Sequence, residues 1–418
     1  MTEKRNVAQM TRRQVLNGVG ALLAVKMVGC GDSTSDGGGN ADGRTGPGRE
    51  GTDGGTASSA YEPLPTAPLD EWKYDPSSFI EKNAAEMSPG EWRALPSTVD
   101  GRPFDSSVFD VYPGPNNTPS QGAIEGLGWT DMLVYYKGTI TVPLMRERLD
   151  AMARMDLEGA WHRTEDVIFN PERPRAGNRR PFNRWCDGHD GFIYHLPTYE
   201  TERRTQTGKL ARTPIDNPGT FTLVGESMND NQMNQSGDVA LSYAPPWERF
   251  LANTTGGKIY TRARSGGPWR LHGRTGSSGV AGVIIYNPLR DEVMAGGGIT
   301  TNDTTGEHFA YLSGPDADAV RLPPFVDEAG NTLVYTAASR RLTVNPATGE
   351  YLLYSHEDWT IFRGDGRGPW KVYEKFDKRG GPLGTYGYYC PVEPLYKYKT
   401  LLWLSNDRGL VLHKVKEA

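Results

Sequence analysis

A strand–turn–strand unit recurs along this chain at a common spacing, and few folds accommodate that. Residues 343–353 read TVNPATGEYLL. Thr343 and Val344 favour a strand, Asn345-Pro346 opens a turn, Gly349 lets it close, and residues 351–353 begin the return strand. The unit recurs over residues 285–294 and, in part, over 168–171. Its Asn-Pro pairs begin at Asn170, Asn287 and Asn345, separations of 117 and 58 residues. The longer separation is almost twice the shorter, so a further copy is expected near Asn229 and another near Ser405. Such a period implies stacked copies of one β unit.

A second marker series has the same mean step. Gly159-Ala-Trp161, Gly267-Pro-Trp269 and Gly368-Pro-Trp370 each follow a polar turn. Weaker versions end at Leu210 and Val320. Each reads as a hairpin with an aromatic or apolar residue opening the next strand. Units of about 50–58 residues match a four-stranded β-propeller blade. The expected architecture is therefore all-β, a propeller over residues 106–418. Six blades are expected and seven are the alternative. Strand 106–112 is expected to pair with 410–415 and close the ring. Residues 61–105 read as a proline-rich lead-in packing through Trp72, Tyr74 and Phe79. Leu144, Met145, Leu149, Met152 and Met155 follow a helical spacing, which predicts a short inserted helix there. The tryptophans are expected to pack between blades.

Gly (51) and Pro (30) are abundant, as many short strands and turns require. The net charge of −5 implies no nucleic-acid partner, and three cysteines are too few for a disulfide scaffold. The chain has no phosphate-cradling glycine loop, no Cys/His metal spacing and no serine nucleophile elbow. No metal is therefore expected, and the cofactor is unknown.

Residues 1–30 carry address signals. Arg12-Arg13 within TRRQVL resembles the twin-arginine export motif, and an apolar run over 15–25 follows. Residues 27–30, MVGC, resemble a bacterial lipobox. That resemblance implies acylation of Cys30 and a membrane partner through the lipid. Gly31 after the cysteine implies passage to an outer membrane or cell surface. Residues 31–60, rich in glycine and serine, read as a disordered leash. Near the other end, the turn Gly364-Asp365-Gly366-Arg367 before Trp370 loosely resembles the Asp-box hairpin of sialidase-like six-bladed propellers. The spacing differs from that box, and the resemblance implies architecture only.

Departures from the repeat are the places to look for function. Residues 172–199 hold an arginine-rich stretch and then WCDGHDGFIYH. Arg179, Arg180 and Arg184 suit two-point capture of a carboxylate or sulfate. His189 suits a general base oriented by Asp187 or Asp190, with Tyr194 or His195 on the next strand. Trp185 and Asp131 complete the candidate binding set. The catalytic candidates are thus His189, Asp187 and Tyr194. The same loop also reads as an ordinary basic, solvated turn. His162, His272 and His413 are expected at the surface or in packing. Cys186 and Cys390 are the cysteines that a disulfide would join. Two functions fit: a surface-anchored propeller binding a glycan, peptide or protein partner, or a carbohydrate-active enzyme, hydrolase or lyase, acting on an acidic sugar.

Overall fold

The computed structural model describes residues 73–99, 101–103, 133–146, 149–164, 185–196, 209–224, 239–254, 256–276, 282–297, 309–333, 340–355, 359–377, 381–384, 390–405 and 408–417. Cys30, Asp131, Arg179, Arg180 and Arg184 lie outside them, as do residues 106–112, Asn170 and Asn229.

The described chain begins with helix α1 (Phe79–Glu86), capped by the Ser78 hydroxyl, which accepts from the Glu81 amide. Three short strands follow: β1 (Trp92–Ala94), β2 (Thr98–Val99) and β3 (Arg102–Pro103). Blade 1 is the meander β4 (Val134–Tyr136), β5 (Thr139–Arg146), β6 (Leu149–Met155) and β7 (Ala160–Thr164). Strands β2 and β3 extend its outer edge, β2 running parallel to β7. Blade 2 is β8 (Trp185–Asp187), β9 (Phe192–His195), β10 (Leu210–Pro214) and β11 (Thr222–Val224). Blade 3 is β12 (Val239–Ala244), β13 (Arg249–Thr254), β14 (Lys258–Ala263) and β15 (Arg270–Arg274). Blade 4 is β16 (Val283–Asn287), β17 (Glu292–Gly296), β18 (Phe309–Leu312) and β19 (Val320–Arg321). Blade 5 is β20 (Arg340–Val344), β21 (Tyr351–Ser355), β22 (Thr360–Gly364) and β23 (Lys371–Lys375). Blade 6 is β24 (Val392–Leu395), β25 (Thr400–Ser405) and β26 (Gly409–Lys414), with β1 as its outermost strand.

The ring is a six-bladed propeller, and its cores show why. Six apolar clusters lie one between each pair of neighbouring blades, including blades 6 and 1. Middle strands are buried on both faces, so they read as continuous apolar runs. In β21, Tyr351 and Leu353 face blade 4 while Leu352 and Tyr354 face blade 6. A β-sandwich would bury one face of each strand and leave the other wet.

Closure differs from the expected one. The strand that pairs with β26 is β1, with Trp92 opposite His413 and Ala94 opposite Val411. Three residues are enough because blade 6 supplies the other three strands. The Trp92 ring stacks on His413 at 3.9 Å between centroids.

The helix expected at 144–155 is instead the hairpin β5–β6, in register from Ile140–Met155 to Arg146–Leu149. Met152 faces blade 2 while Ala153 and Met155 face blade 6. Burial on both sides erased the alternation that marks a strand.

The repeat markers fall on equivalent turns. Asn287 and Asn345 both open the first turn of a blade, each side-chain oxygen accepting from the amide two residues on, at 3.2 and 2.9 Å. Left-handed backbone closes these turns at Asp291 (φ 49°) and Gly349 (φ 72°). Asn287 also donates to the Gly349 carbonyl at 2.8 Å, joining one copy to the next. The extrapolated copy at Ser405 lies on the second turn of blade 6. The equivalent turn there is Tyr396–Tyr398 with left-handed Lys399.

Trp161, Trp269 and Trp370 all stand at the start of the fourth strand of a blade, and Val320 matches them. Trp161 and Trp370 are fully buried, and Trp269 is half-buried. Leu210 opens a third strand instead; the blade 2 counterpart is buried Phe221, just before β11. Trp92, opening β1, completes the set. In blade 5 the Asp365 carboxylate accepts from the Arg367 and Gly368 amides, which fixes the turn leading to Trp370.

Candidate functional site

The six innermost strands, β4, β8, β12, β16, β20 and β24, surround an axial channel enclosing about 220 Å³. In an antiparallel meander the first and third turns of every blade share one face of the disc. The first turns of all six blades are described, so this face frames one mouth of the channel.

The charged groups at this mouth come from three distant parts of the sequence. Asp187 ends β8, Glu393 lies on β24, and Lys73 precedes α1. The Lys73 ammonium lies 3.4 Å from Asp187 Oδ2 and 3.5 Å from Glu393 Oε1. The Lys73 carbonyl accepts from the Lys137 amide in the first turn of blade 1, which holds the segment in place. His189 Nε2 lies 3.8 Å from Asp187 Oδ2. The Asp187 and His189 side chains are 9% and 15% exposed, so this set sits in the mouth rather than on open surface.

Local sequence explains the placement of His189. Asp187 Oδ1 accepts from the His189 amide at 2.8 Å, an Asx turn after the strand. His189 takes a left-handed φ of 54° and Gly191 one of 84°, which completes a tight reversal into β9. The His189 ring lies 5.8 Å from that of Tyr243, whose hydroxyl burial pushes up to about 12.

Other sequence candidates part company here. Tyr194 points between blades 2 and 3, where its hydroxyl donates to Asp190 Oδ2 at 2.8 Å and accepts from Arg212 at 3.4 Å. Its ring lies against Gly188, so it borders the His189–Asp187 turn from the interblade side. The Trp185 indole is 1% exposed and packs on Phe221 in the core between blades 1 and 2, so only its backbone faces the channel. His195 is fully buried beside it. No disulfide joins Cys186 and Cys390. Burial, then Asp187 and Asp190, raise the Cys186 thiol well above its usual range, so it stays protonated. Among the described residues no group of three His, Cys, Asp or Glu side chains could hold a metal.

Lys73, Glu393 and the buried Arg341 on β20 are channel residues that the sequence reading passed over. The available signal was a charged residue inside an otherwise apolar innermost strand, as in Pro391-Val-Glu-Pro. Lys73 offered none, because its partners lie more than a hundred residues away.

No family model matches this chain, and no curated protein matches it. Among solved structures it is similar to virginiamycin B lyase from Staphylococcus aureus at 10% identity. That match covers 72% of this chain and 88% of the other, with a TM-score of 0.41. It is also similar to an auxiliary nutrient binding protein from Bacteroides thetaiotaomicron at 8% identity, covering 68% of each chain with a TM-score of 0.45. A putative phosphatase from the same organism matches at 10% identity, covering 69% and 72%, with a TM-score of 0.44. The blade count rests on the strand order and the six interblade cores of this chain.

Proposed function

We propose that this protein is an exported, lipid-tethered propeller that binds a polar ligand (a glycan, a peptide or a segment of a protein partner) at the axial mouth beside Lys73. The observation carrying this reading is the convergence of Lys73, Asp187, Glu393 and His189 on one end of the channel. Opposite charges held within 4 Å and partly sheltered from water recognise hydroxyl, amide and ionic groups of a ligand by direction as well as charge. The lipobox-like MVGC at Cys30 and the polar stretch behind it support delivery to a membrane surface, outer membrane or cell exterior. The export and sialidase-like resemblances support the address and the architecture, and supply no site residue.

The test is binding of the full chain to glycan and peptide arrays, followed by calorimetry on any hit. Asp187→Asn and Glu393→Gln should each weaken binding about tenfold or more, the usual cost of a lost charged contact. Binding unchanged in both variants would place the ligand elsewhere.

The 3.8 Å approach of His189 to Asp187 favours one second reading, a carbohydrate-active enzyme with His189 as base. Turnover of acidic polysaccharides that His189→Ala abolishes, with binding retained, would select it. Equal turnover in both proteins would remove His189 from the chemistry.

A further inference from the structure

Among the described residues the exposed large apolar side chains are three: Leu271 at 47%, Val320 at 49% and Val372 at 55%. They are not scattered. Each stands on the outermost strand of one of three successive blades, β15, β19 and β23. Each has an exposed basic residue next to it in sequence: Arg270, Arg321 and Lys371. Arg274 and Lys375 are exposed at the far ends of β15 and β23. Every exposed residue on these three strands is therefore either aliphatic or basic. Acids border the patch as well: Asp316 pairs with Arg270 and Arg249, Glu374 accepts from the Trp92 indole, and Asp318 and Asp377 are exposed just outside β19 and β23.

The strands form one surface. The Ala319 amide donates to the His272 carbonyl at 2.8 Å, which sets Val320 beside β15. The Trp370 amide donates to the Val326 carbonyl at 2.7 Å, and Asp327 bridges to Trp370, which joins the end of blade 4 to β23. The other outer edges differ. Blade 1 is covered by β2 and β3, and the outer strands of blades 2 and 6 expose Thr222 and Ala94.

We propose that the rim of blades 3–5 docks against an anionic lipid bilayer. Aliphatic tips enter the headgroup layer while neighbouring Arg and Lys side chains meet lipid phosphates, a combination that binds membrane surfaces by area and charge together. A second copy of the same rim is disfavoured, since it would set these cations against themselves. A chain of net charge −5 confines its attraction for anions to such a patch. If Cys30 is lipidated, the intervening chain of about 40 residues reaches at most roughly 150 Å, ample for the rim to touch the bilayer that holds the lipid. The docking itself does not depend on the axial ligand.

The test is co-sedimentation of the full chain carrying Cys30→Ala, which removes the lipid, with vesicles of phosphatidylcholine alone or with phosphatidylglycerol added. Binding is expected on the anionic vesicles and at least tenfold weaker on neutral ones, and it should fall with added salt. The triple variant Arg274→Glu, Arg321→Glu, Lys371→Glu should lose about a hundredfold. Leu271→Ser with Val372→Ser should lose several-fold, with unchanged thermal unfolding showing that both variants fold. Asp187→Asn should bind vesicles as well as the parent, so that loss of the axial ligand and loss of docking are read separately. Equal binding to neutral vesicles, no effect of the charge reversals, or rim-dependent self-association without vesicle binding would each overturn the proposal.

Discussion

The joint between blades 6 and 1 and the joint between blades 4 and 5 do the same mechanical task with different chemistry. Both bury a tryptophan at the start of a blade's fourth strand: Trp161 at one, Trp370 at the other. Both also bring tyrosine hydroxyls to a carboxylate. At blades 4 and 5 that carboxylate is Glu292, bonded to Arg367 at 2.7 Å, with Arg290 at 3.7 Å and the Tyr351 hydroxyl at 3.3 Å. The Arg367 guanidinium also lies 4.3 Å over the Tyr311 ring. At the seam it is Glu81 of α1, fully buried, which accepts from Tyr135 of blade 1 at 2.6 Å and Tyr398 of blade 6 at 2.7 Å. The Asp75 amide donates to it as well, at 2.6 Å. Consecutive blades are joined by repeat packing and by turns such as Asn287 to Gly349. The seam unites chain segments far apart in sequence, and it adds a helix that belongs to no blade to fasten them.

If the apolar halves of the two joints are equivalent, Trp161→Ala and Trp370→Ala should cost similar amounts, about 3–5 kcal/mol each. Trp269→Ala, half-buried, should cost about 1–2 kcal/mol. Denaturant unfolding measures all three, and a large gap between the first two would break the equivalence.

The polar halves should not be equivalent. Glu81→Ala strands two tyrosine hydroxyls at the seam and should cost about 2–4 kcal/mol. Arg367→Ala removes a partner that is 39% exposed and screened by solvent, and should cost about 1 kcal/mol. Equal losses would mean that the seam is no more dependent on its polar fastening than any other joint.

The finest distinction concerns pH. His413, on β26 at the closing strand, is fully buried and its ring nitrogens have no hydrogen-bond partner. Burial lowers its pKa to about 3, with Lys416 adding to the shift. It is therefore neutral at pH 7, and its 3.5 Å approach to Glu374 is not an ion pair there. A base whose folded pKa lies below the unfolded value makes the unfolded chain bind more protons between the two. This contribution to stability is present above about pH 6.5 and is lost as pH falls toward 3. Glu374, raised by burial, shifts in the opposite sense and faces the same ring. His413→Phe, which keeps a ring on Trp92, should flatten the stability–pH slope between pH 6 and 4 by about 1.4 kcal/mol per pH unit. An unchanged slope would mean that His413 is hydrated.

The same contrast explains what the sequence allowed a reader to see. Blades 3 to 5 carry their markers in order, because each turn and each tryptophan answers to local geometry. Asn287, Asn345, Trp269 and Trp370 were legible for that reason, and so was the Asp187–His189 turn. The seam was not. Trp-Arg-Ala at 92–94 is too short to announce a strand, and it becomes one only against β26. Phe221 replaced tryptophan in blade 2 and broke the marker series. The mouth was half legible: Asp187 and His189 share one turn, while Lys73 and Glu393 arrive by ring closure. Tyr194 was grouped with that turn, and it bonds Asp190 there from the blade 3 side.

Closure by residues 92–94 is the claim on which the ring, the mouth and the seam all depend. Ala94→Cys with Val411→Cys, oxidised in the folded protein, tests it by mass mapping of linked peptides. A disulfide joining positions 94 and 411 in high yield, with raised thermal stability, is the predicted result. No link between these positions, or equal linkage of position 94 to a thiol placed on another blade, would contradict the closed six-bladed ring.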